Sequence, residues 1–416
     1  CYVCKKKYKE RHHFYDCLCP ECADLNWFKR NRIVDLKDRV ILVTGGRVKI
    51  GFEAAVKLLR CGATVHVTTR FPNNAAKRYA ELKDFKDFSS RLHIHGLDLR
   101  DLGAVERFAA WFCEQVPELD ALVNNAAQTV RRPPAYYSHL LTDETVESMK
   151  KLPKNICDLI QNGNWHQSTV GRIESGESRD LSSIMPGNSS QNEIVNQTSE
   201  MMSDITPSAA MSQLPLLPED HENDKNLFPK GVYDVDGQQM DLREKNSWNY
   251  LLHEVPTAEA VEVHCVNALA PMVLCARFRT ILKNGAKKNG FSWIVNVSAM
   301  EAKFYRHKEP THAHTNMAKA ALNMLTRTSA SDYKTDNILM NSIDTGWITD
   351  EQPTAKAMEK LINDNFQTPI DEIDAACRII DPIIVGVGGQ IKQPEFFPVD
   401  RFCFGKFIKD YRESEW

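Results

Sequence analysis

Two groups of residues carry spacings that chemistry can use. The first opens the chain. Cys1-x-x-Cys4 and Cys19-x-x-Cys22 are two thiol pairs separated by fourteen residues. A two-residue turn brings both sulfurs of a pair to one edge of a tetrahedral metal, so four such thiolates make a closed structural Zn²⁺ site. The surrounding segment is poor in apolar residues, so metal binding would supply its folding energy. Cys17, His12 and His13 are competing ligands, and a flexible arm of free thiols is the alternative. A closed four-sulfur site has no open position for substrate. The basic run KKKYKERHH between the pairs could touch an acidic partner or nucleic acid, but a run of this kind is more often a solvated loop.

The second group is a set of glycines. In DRVILVTGGRVKIGFEAAVKLLRCGATVHVTTR, residues 38–70, a short apolar run ends at Thr44 and meets Gly45, Gly46 and Gly51. Val40 to Val43 suit a parallel strand buried on both faces. Ala54, Ala55, Leu58 and Leu59 form the apolar face of a following helix, and ATVHVTT is the next strand. Glycines at such a strand-to-helix turn let the backbone approach a pyrophosphate, which the N–H groups and dipole of the helix N-terminus favour. Arg70 follows the second strand, at the end that faces the adenosine ribose in such folds. A carboxylate there favours a free 2′-hydroxyl and an arginine a 2′-phosphate, so the expected cofactor is NADP, with NAD open. The bland reading of Arg70 is a surface residue.

The chain that positions these groups has 416 residues, room for one large α/β domain and an accessory module. Hydrophobic residues make up 42% and charged residues 26%, ordinary for a globular chain. A net charge of −3 gives no electrostatic case for nucleic acid or an anionic membrane. No apolar run approaches the ~20 residues needed to span a bilayer. The twelve cysteines read as the N-terminal cluster plus scattered core thiols, which points to a reducing compartment. The expected location is cytoplasmic. The abrupt start at Cys1 leaves a removed targeting segment open.

Further along, RLHIHGLDLRD gives a third strand running to Asp98, and ALVNNAAQ a fourth ending in Asn124, Asn125, Ala126 and Ala127. With the TGGRVKIG turn, VNALAP, IVNVSA and MAKAALNMLTR, these pieces fall in one order over residues 38–129 and 257–347. In that order the chain resembles a short-chain dehydrogenase/reductase. The resemblance implies a doubly wound Rossmann-type parallel sheet. It also implies that Thr44, Gly45, Gly46, Lys49, Ile50 and Gly51 cradle the cofactor phosphates. Asp98 would contact the adenine, and Asn125 and Ala126 would lie near the ribose. Gly346 would close over the nicotinamide. The implied catalytic set is Asn267, which holds a relay water; Ser298, which orients the substrate carbonyl; and Lys319, which binds the nicotinamide ribose.

Three departures stand out. Four residues before Lys319, where the family has a tyrosine, this chain has Thr315. A threonine hydroxyl is a far weaker acid than a phenol and a poor general acid. His314, His312 and Tyr305 are candidate substitutes, each also readable as a packing or surface residue. Lys49 replaces the glycine before Ile50-Gly51, where its side chain could crowd the phosphates or pair with one as a point charge. In LMNSIDTGWITDE, residues 339–351, Thr345 stands in place of proline while Gly346 and Thr349 remain. Asp344 and Asp350 there read as substrate contacts or loop caps.

The expected organisation is a zinc-ribbon-like module over 1–30, a first Rossmann part over 38–129 and an insertion over 130–256. A second Rossmann part and docking tail follow over 257–416. The insertion reads as ordered at its ends and disordered over 174–226. Arg132, Tyr136, Tyr137 and Trp248 could line a substrate pocket or simply pack. The tail reads as helix, apolar strand and an aromatic end suited to docking on the body or a second subunit, so a homo-oligomer is open. The expected function is an NADP(H)-dependent oxidoreductase on an unspecified small-molecule carbonyl or alcohol, with an atypical proton donor. The alternative is a catalytically inactive scaffold or dinucleotide sensor that binds protein partners. Nucleic-acid binding is the weakest reading.

Overall fold

The computed structural model describes residues 1–161, 165, 205–221, 226–234, 237–304, 308–348, 351–354, 356, 362–363, 367–388 and 400–416. Tyr305, Thr349, Asp350 and residues 174–204 lie outside the described residues, and with them the readings placed there.

Nine strands form one sheet: β1 Val40–Thr44, β2 Thr64–Thr69, β3 Leu92–Gly96, β4 Ala121–Asn124, β5 Ile160–Gln161, β6 Ser292–Ser298, β7 Ile338–Asp344, β8 Phe407–Lys409 and β9 Arg412–Ser414. Their order is β5-β3-β2-β1-β4-β6-β7-β8-β9. Every pairing is parallel except β8–β9. This is the doubly wound Rossmann-type sheet expected from the sequence. Strand order reverses between β1 and β4, and ligands of such sheets bind in the crevice at that switch point, beyond the strands' C-terminal ends.

The central strands are apolar throughout because both faces are covered. Ile41 and Val43 pack on one side with Leu58, Trp293, Ile380 and Ile383. Leu42, between them, packs on the other side with Phe108, Phe112, Leu274 and Phe278. The strand's period of two sends alternate side chains to opposite layers. The helices Lys49–Arg60 and Glu372–Gly388 supply the first layer, and Leu102–Gln115 and Ala270–Asn289 the second.

Residues 257–289 run as one helix of 33 residues, long and apolar enough by composition to cross a membrane. Of its most apolar window, 61% is buried inside the fold, as in a core helix.

The tail differs from expectation. RIIDPIIVGVG continues the Glu372–Gly388 helix through Pro382 and forms no strand. Residues 374–386 are buried throughout, wedged between the Pro20–Asn31 and Lys49–Arg60 helices and the sheet. A short apolar run buried on all sides carries no periodicity to separate helix from strand.

The insertion docks where it is described. Tyr136, Tyr137 and Leu140 of the Pro134–Leu141 helix pack with Phe71, Ile205, Ala209 and Phe228. Residues 205–221, read from sequence as loose, are therefore held by Ile205 and Ala209 in that apolar cluster. Arg131 also grips Asp220 with two bonds of 2.6 Å, both side chains nearly solvent-free. Glu144 accepts from the amides of Asn73 and Asn74 at the start of the Pro72–Ala80 helix. Burial raises its carboxyl to about 7.

Candidate functional site

The glycine turn forms as its residues require. Gly45 has φ +73°, and a Cβ there would lie 3.0 Å from Ala126. A Cβ on Gly51 would sit 2.2 Å from the Gly45 carbonyl oxygen and 2.4 Å from Nδ2 of Asn125, so only glycine fits at this third residue of the Lys49–Arg60 helix. Gly46 lies under Val67, with 2.7 Å for a Cβ. Lys49 takes φ +54°, the left-handed conformation glycine adopts freely. The turn therefore keeps its path despite the substitution, at about 1 kcal/mol of backbone strain. Ile50 follows as the second residue of the Lys49–Arg60 helix and packs on the core beside the sheet.

Thr44 ties β1 to β4. Its hydroxyl accepts from the amides of Asn125 and Ala126, both at 3.0 Å. Asn125 returns a bond from Nδ2 to the Thr44 carbonyl at 2.9 Å. These contacts fix the floor of the crevice.

Three arginines gather at the end of β2. Arg70 donates to the Tyr137 hydroxyl at 3.1 Å and lies over the Tyr137 and Phe71 rings. Arg47, inside the glycine turn, donates to Asn74 at 3.0 Å and also lies over the Phe71 ring, 5.5 Å from its centroid. Burial, Arg78 and Arg70 together pull Arg47 down to about 10. Nε of Arg78 is buried without a partner. Among the described residues no carboxylate forms an ion pair with any of the three. Burial raises the Tyr137 phenol, but Arg70 and other arginines outweigh it and hold it below the usual range. Arg47 and Arg78 were not picked out from sequence. Arg47 sits within the TGGR signature, and its role becomes visible only when β2 and the next helix bring Arg70 and Arg78 beside it.

Asp98 is buried, and both its oxygens are engaged by Arg100, the shortest bond being 2.6 Å. Burial pushes its carboxyl up, and Arg100 reverses this and holds it below the ordinary range. Arg100 reaches on to Glu262 at 3.0 Å.

At the other end of the crevice, Asn267 lies in a π-helical turn, Cys265–Leu269, within the long helix. Such turns concentrate at functional sites. Its Oδ1 accepts from the Gln128 amide at 2.7 Å, and its Nδ2 donates to the Gln128 carbonyl at 2.9 Å. Ser298 ends β6 in register with Asp344. Lys319 and Thr315 lie one turn apart on the Ala313–Lys334 helix. Nζ of Lys319 donates to the Val297 carbonyl at 2.7 Å, which brings it beside Ser298. Burial lowers Lys319 to about 8. The hydroxyls of Ser298 and Thr315 are buried and have no hydrogen-bond partner among the described residues.

His312 stacks on Trp248 at 4.1 Å and binds the Trp248 carbonyl at 3.1 Å, a packing arrangement. Trp248 is thereby turned to His312. His314 is buried, its ring nitrogens without a hydrogen bond among the described residues and Nε2 facing the Glu259 carboxylate at 3.8 Å.

Beyond β7, Asp344 pairs with Lys409 at 2.7 Å and caps the Gly346 amide. Gly346 has φ +82°, and a Cβ there would meet Ile370 at 2.5 Å.

The four sulfurs of Cys1, Cys4, Cys19 and Cys22 lie within 4.8 Å of one another, and Cys4 and Cys19 are 3.6 Å apart. Cys17, His12 and His13 are not in that group. The Pro20–Asn31 helix that carries Cys22 is anchored by Lys29 to Asp381 and by Arg30 to Asp371, each at 2.7 Å.

Comparison with known proteins follows the same outline. A short chain dehydrogenase family model matches residues 39–152, and an enoyl-(acyl carrier protein) reductase model matches residues 246–375. Together these stretches span more than half of the chain and flank the insertion. An uncharacterised protein of Acanthamoeba polyphaga mimivirus is 27% identical over 404 residues, covering 92% of this chain and 71% of that protein. An uncharacterised oxidoreductase of Mycobacterium bovis is 30% identical over 103 residues, 25% of this chain and 30% of that protein. The chain thus spans less than a third of that relative. The NADPH-bound carbonyl reductase from chicken fatty liver is 16% identical, with a TM-score of 0.48, covering 92% of this chain and 100% of that one. With its glycine turn, its 3-2-1-4 strand order and both family matches on one sheet, the chain belongs to the short-chain dehydrogenase/reductase superfamily.

Proposed function

We propose that this protein is an NADP(H)-dependent oxidoreductase acting on a carbonyl or alcohol group of a small molecule. One observation carries the cofactor. Arg47 and Arg70 flank Phe71 at the end of β2 with Arg78 close to Arg47, and among the described residues no carboxylate forms an ion pair with any of the three. Partly buried like charges are unfavourable unless an anion joins them. A 2′-phosphate on the adenosine ribose fits that demand, and the adjacent glycine turn fits the pyrophosphate. The bound nicotinamide would supply or take up hydride.

The protein's own part follows from the residues at the far end of the crevice. Ser298, its hydroxyl unpartnered, is free to orient a substrate oxygen. Lys319, held near 8, is an acid matched to neutral solution, which a threonine hydroxyl is not. We infer that Lys319 is the proton source and that the Thr315 hydroxyl, one turn away and not bonded to Nζ, joins the path through a bound substrate or water. Asn267 braces the loop at Gln128 that leads out of β4. Asp98, already engaged by Arg100, acts on the adenine side by holding Arg100 in place. Cys1, Cys4, Cys19 and Cys22 hold a structural zinc ion, whose donor set of four clustered thiols fits that metal and leaves no position for substrate.

One observation favours the second reading, a non-catalytic sensor or scaffold. The insertion already occupies the adenosine end: Tyr137 takes a bond from Arg70, and Ser208 donates to the Arg70 carbonyl at 2.9 Å. The two readings separate in a panel of aldehydes and ketones mixed with NADPH, followed by loss of nicotinamide absorbance. Consumption that disappears in Ser298→Ala and Lys319→Met supports the enzyme. No consumption across the panel, with tight NADPH binding, supports the sensor.

A further inference from the structure

The four-thiol segment does not stand apart from the crevice. Tyr2 lies between the first two thiols, its amide donating to the Cys17 carbonyl at 2.8 Å. Its hydroxyl accepts from the Trp347 amide at 2.9 Å and would lie 3.5 Å from a Cβ on Gly346. Its ring lies 5.9 Å from Nζ of Lys409, the partner of Asp344. Ile348 and Ile370 pack into the cluster formed by Tyr15, Leu18, Cys19 and Cys22. Tyr15 donates to Asp374 at 2.6 Å. The segment thus touches both sides of the loop that leaves β7 beside Ser298.

We propose that the metal at Cys1, Cys4, Cys19 and Cys22 sets the position of this loop through Tyr2, so that metal occupancy and nucleotide binding are thermodynamically linked. The coupling presupposes the zinc reading given above. A segment with so few apolar residues of its own holds its shape through the metal. Without the metal, Tyr2 loses the frame that aims its hydroxyl at Trp347, and the loop loses a contact. Linkage is reciprocal: whatever the metal adds to nucleotide affinity, the nucleotide adds to metal affinity. Tyr2 is a positioning residue here, since it acts through Gly346 and Trp347.

The test uses the full-length protein loaded with zinc. Metal content is measured first, then hydrogen exchange in the peptide covering residues 344–348, then NADPH affinity, each in wild type, in chelator-treated protein and in Tyr2→Phe. The expected result is one bound zinc in wild type and in Tyr2→Phe. Exchange in the loop should be at least tenfold faster after chelation and in the variant. NADPH binding should weaken by about fivefold or more in both, the lower end of ordinary allosteric couplings. Absence of zinc from the wild type overturns the metal reading and the coupling together. Zinc present, with loop exchange unchanged in Tyr2→Phe, overturns the coupling and leaves the metal reading intact. Loop exchange that responds while NADPH fails to bind any form also overturns the linkage, and with it the cofactor reading. Tyr2→Phe keeps all four thiols, so the test survives if chelation unfolds the chain.

Discussion

Nζ of Lys319 donates to the Val297 carbonyl at 2.7 Å, one residue before Ser298, and among the described residues this is the buried ammonium's one hydrogen bond. One carbonyl is thin solvation for a charge, and burial accordingly pulls Lys319 from 10.5 down to about 8. Two consequences follow. Carbonyl reduction that draws its proton from Lys319 should decline as pH rises through about 8, read from the pH profile of kcat. Stability should move the other way. Between about 8 and 10.5 the unfolded chain holds more protons than the folded one, so this group's penalty on folding is full below 8 and fades as pH rises. Lys319→Met should therefore be the more stable protein at neutral pH, by up to about 3 kcal/mol. That gap should close toward pH 10, measured by denaturant unfolding. A gap independent of pH would contradict the assignment.

Thr315 offers a cleaner separation of chemistry from stability. Its hydroxyl is buried without a partner, and such a group is destabilising by about 1 kcal/mol or more. Thr315→Val keeps the shape and removes the hydroxyl. It should raise the melting temperature slightly and lower turnover by roughly 10² if the hydroxyl relays the proton. Thr315→Ser should retain most of the rate. Equal rates in the valine and serine variants would remove Thr315 from the mechanism.

Gly51→Ala tests the turn. Its Cβ would lie 2.2 Å from the Gly45 carbonyl oxygen. Backbone must move, so a loss of about 1–3 kcal/mol of stability is expected. Nucleotide binding should fall much more than that global loss explains, because the displaced groups form the phosphate cradle. Calorimetry with and without NADPH reads both.

The seating of residues 205–221 rests in part on a buried ion pair within the insertion. Asp220→Ala leaves Arg131 without the carboxylate that binds it at 2.6 Å through both Nη atoms. Arg131 keeps Glu262 at 3.2 Å from its Nε, so the charge is not left bare and the loss should be nearer about 1–3 kcal/mol, that of buried donors left unsatisfied. Limited proteolysis should then cut within residues 205–221 while the sheet stays intact. Resistance equal to wild type would show that apolar packing around Tyr136 and Ala209 suffices.

Much of this was readable in the sequence, and the pattern of what was not is physical. The glycine turn, the buried β1 strand and the helix carrying Lys319 announce themselves locally, since Gly51 and Lys319 each lie within a few residues of the motif that marks them. The RIIDPIIVGVG segment did not, because a run buried on every side loses the periodicity that tells helix from strand. Arg47 was in view but mute, since its meaning comes from Arg70 and Arg78, which tertiary folding brings to it. Tyr2 was hidden most completely: its partner Trp347 lies 345 residues away, and no spacing encodes such a contact. The insertion was legible as an addition, yet the seat of Tyr137 on Arg70 required the structure.

The most direct measurement is a titration of the zinc-loaded protein with NADPH and with NADH, followed by nicotinamide fluorescence, in wild type and in an Arg47→Ala/Arg70→Ala pair. Tight binding of NADPH is expected, with at least tenfold weaker binding of NADH and loss of that difference in the double variant, since each charge-assisted contact to phosphate is worth about 1.5–3 kcal/mol. Equal affinity for both nucleotides in the wild type, or no binding of either, would contradict it.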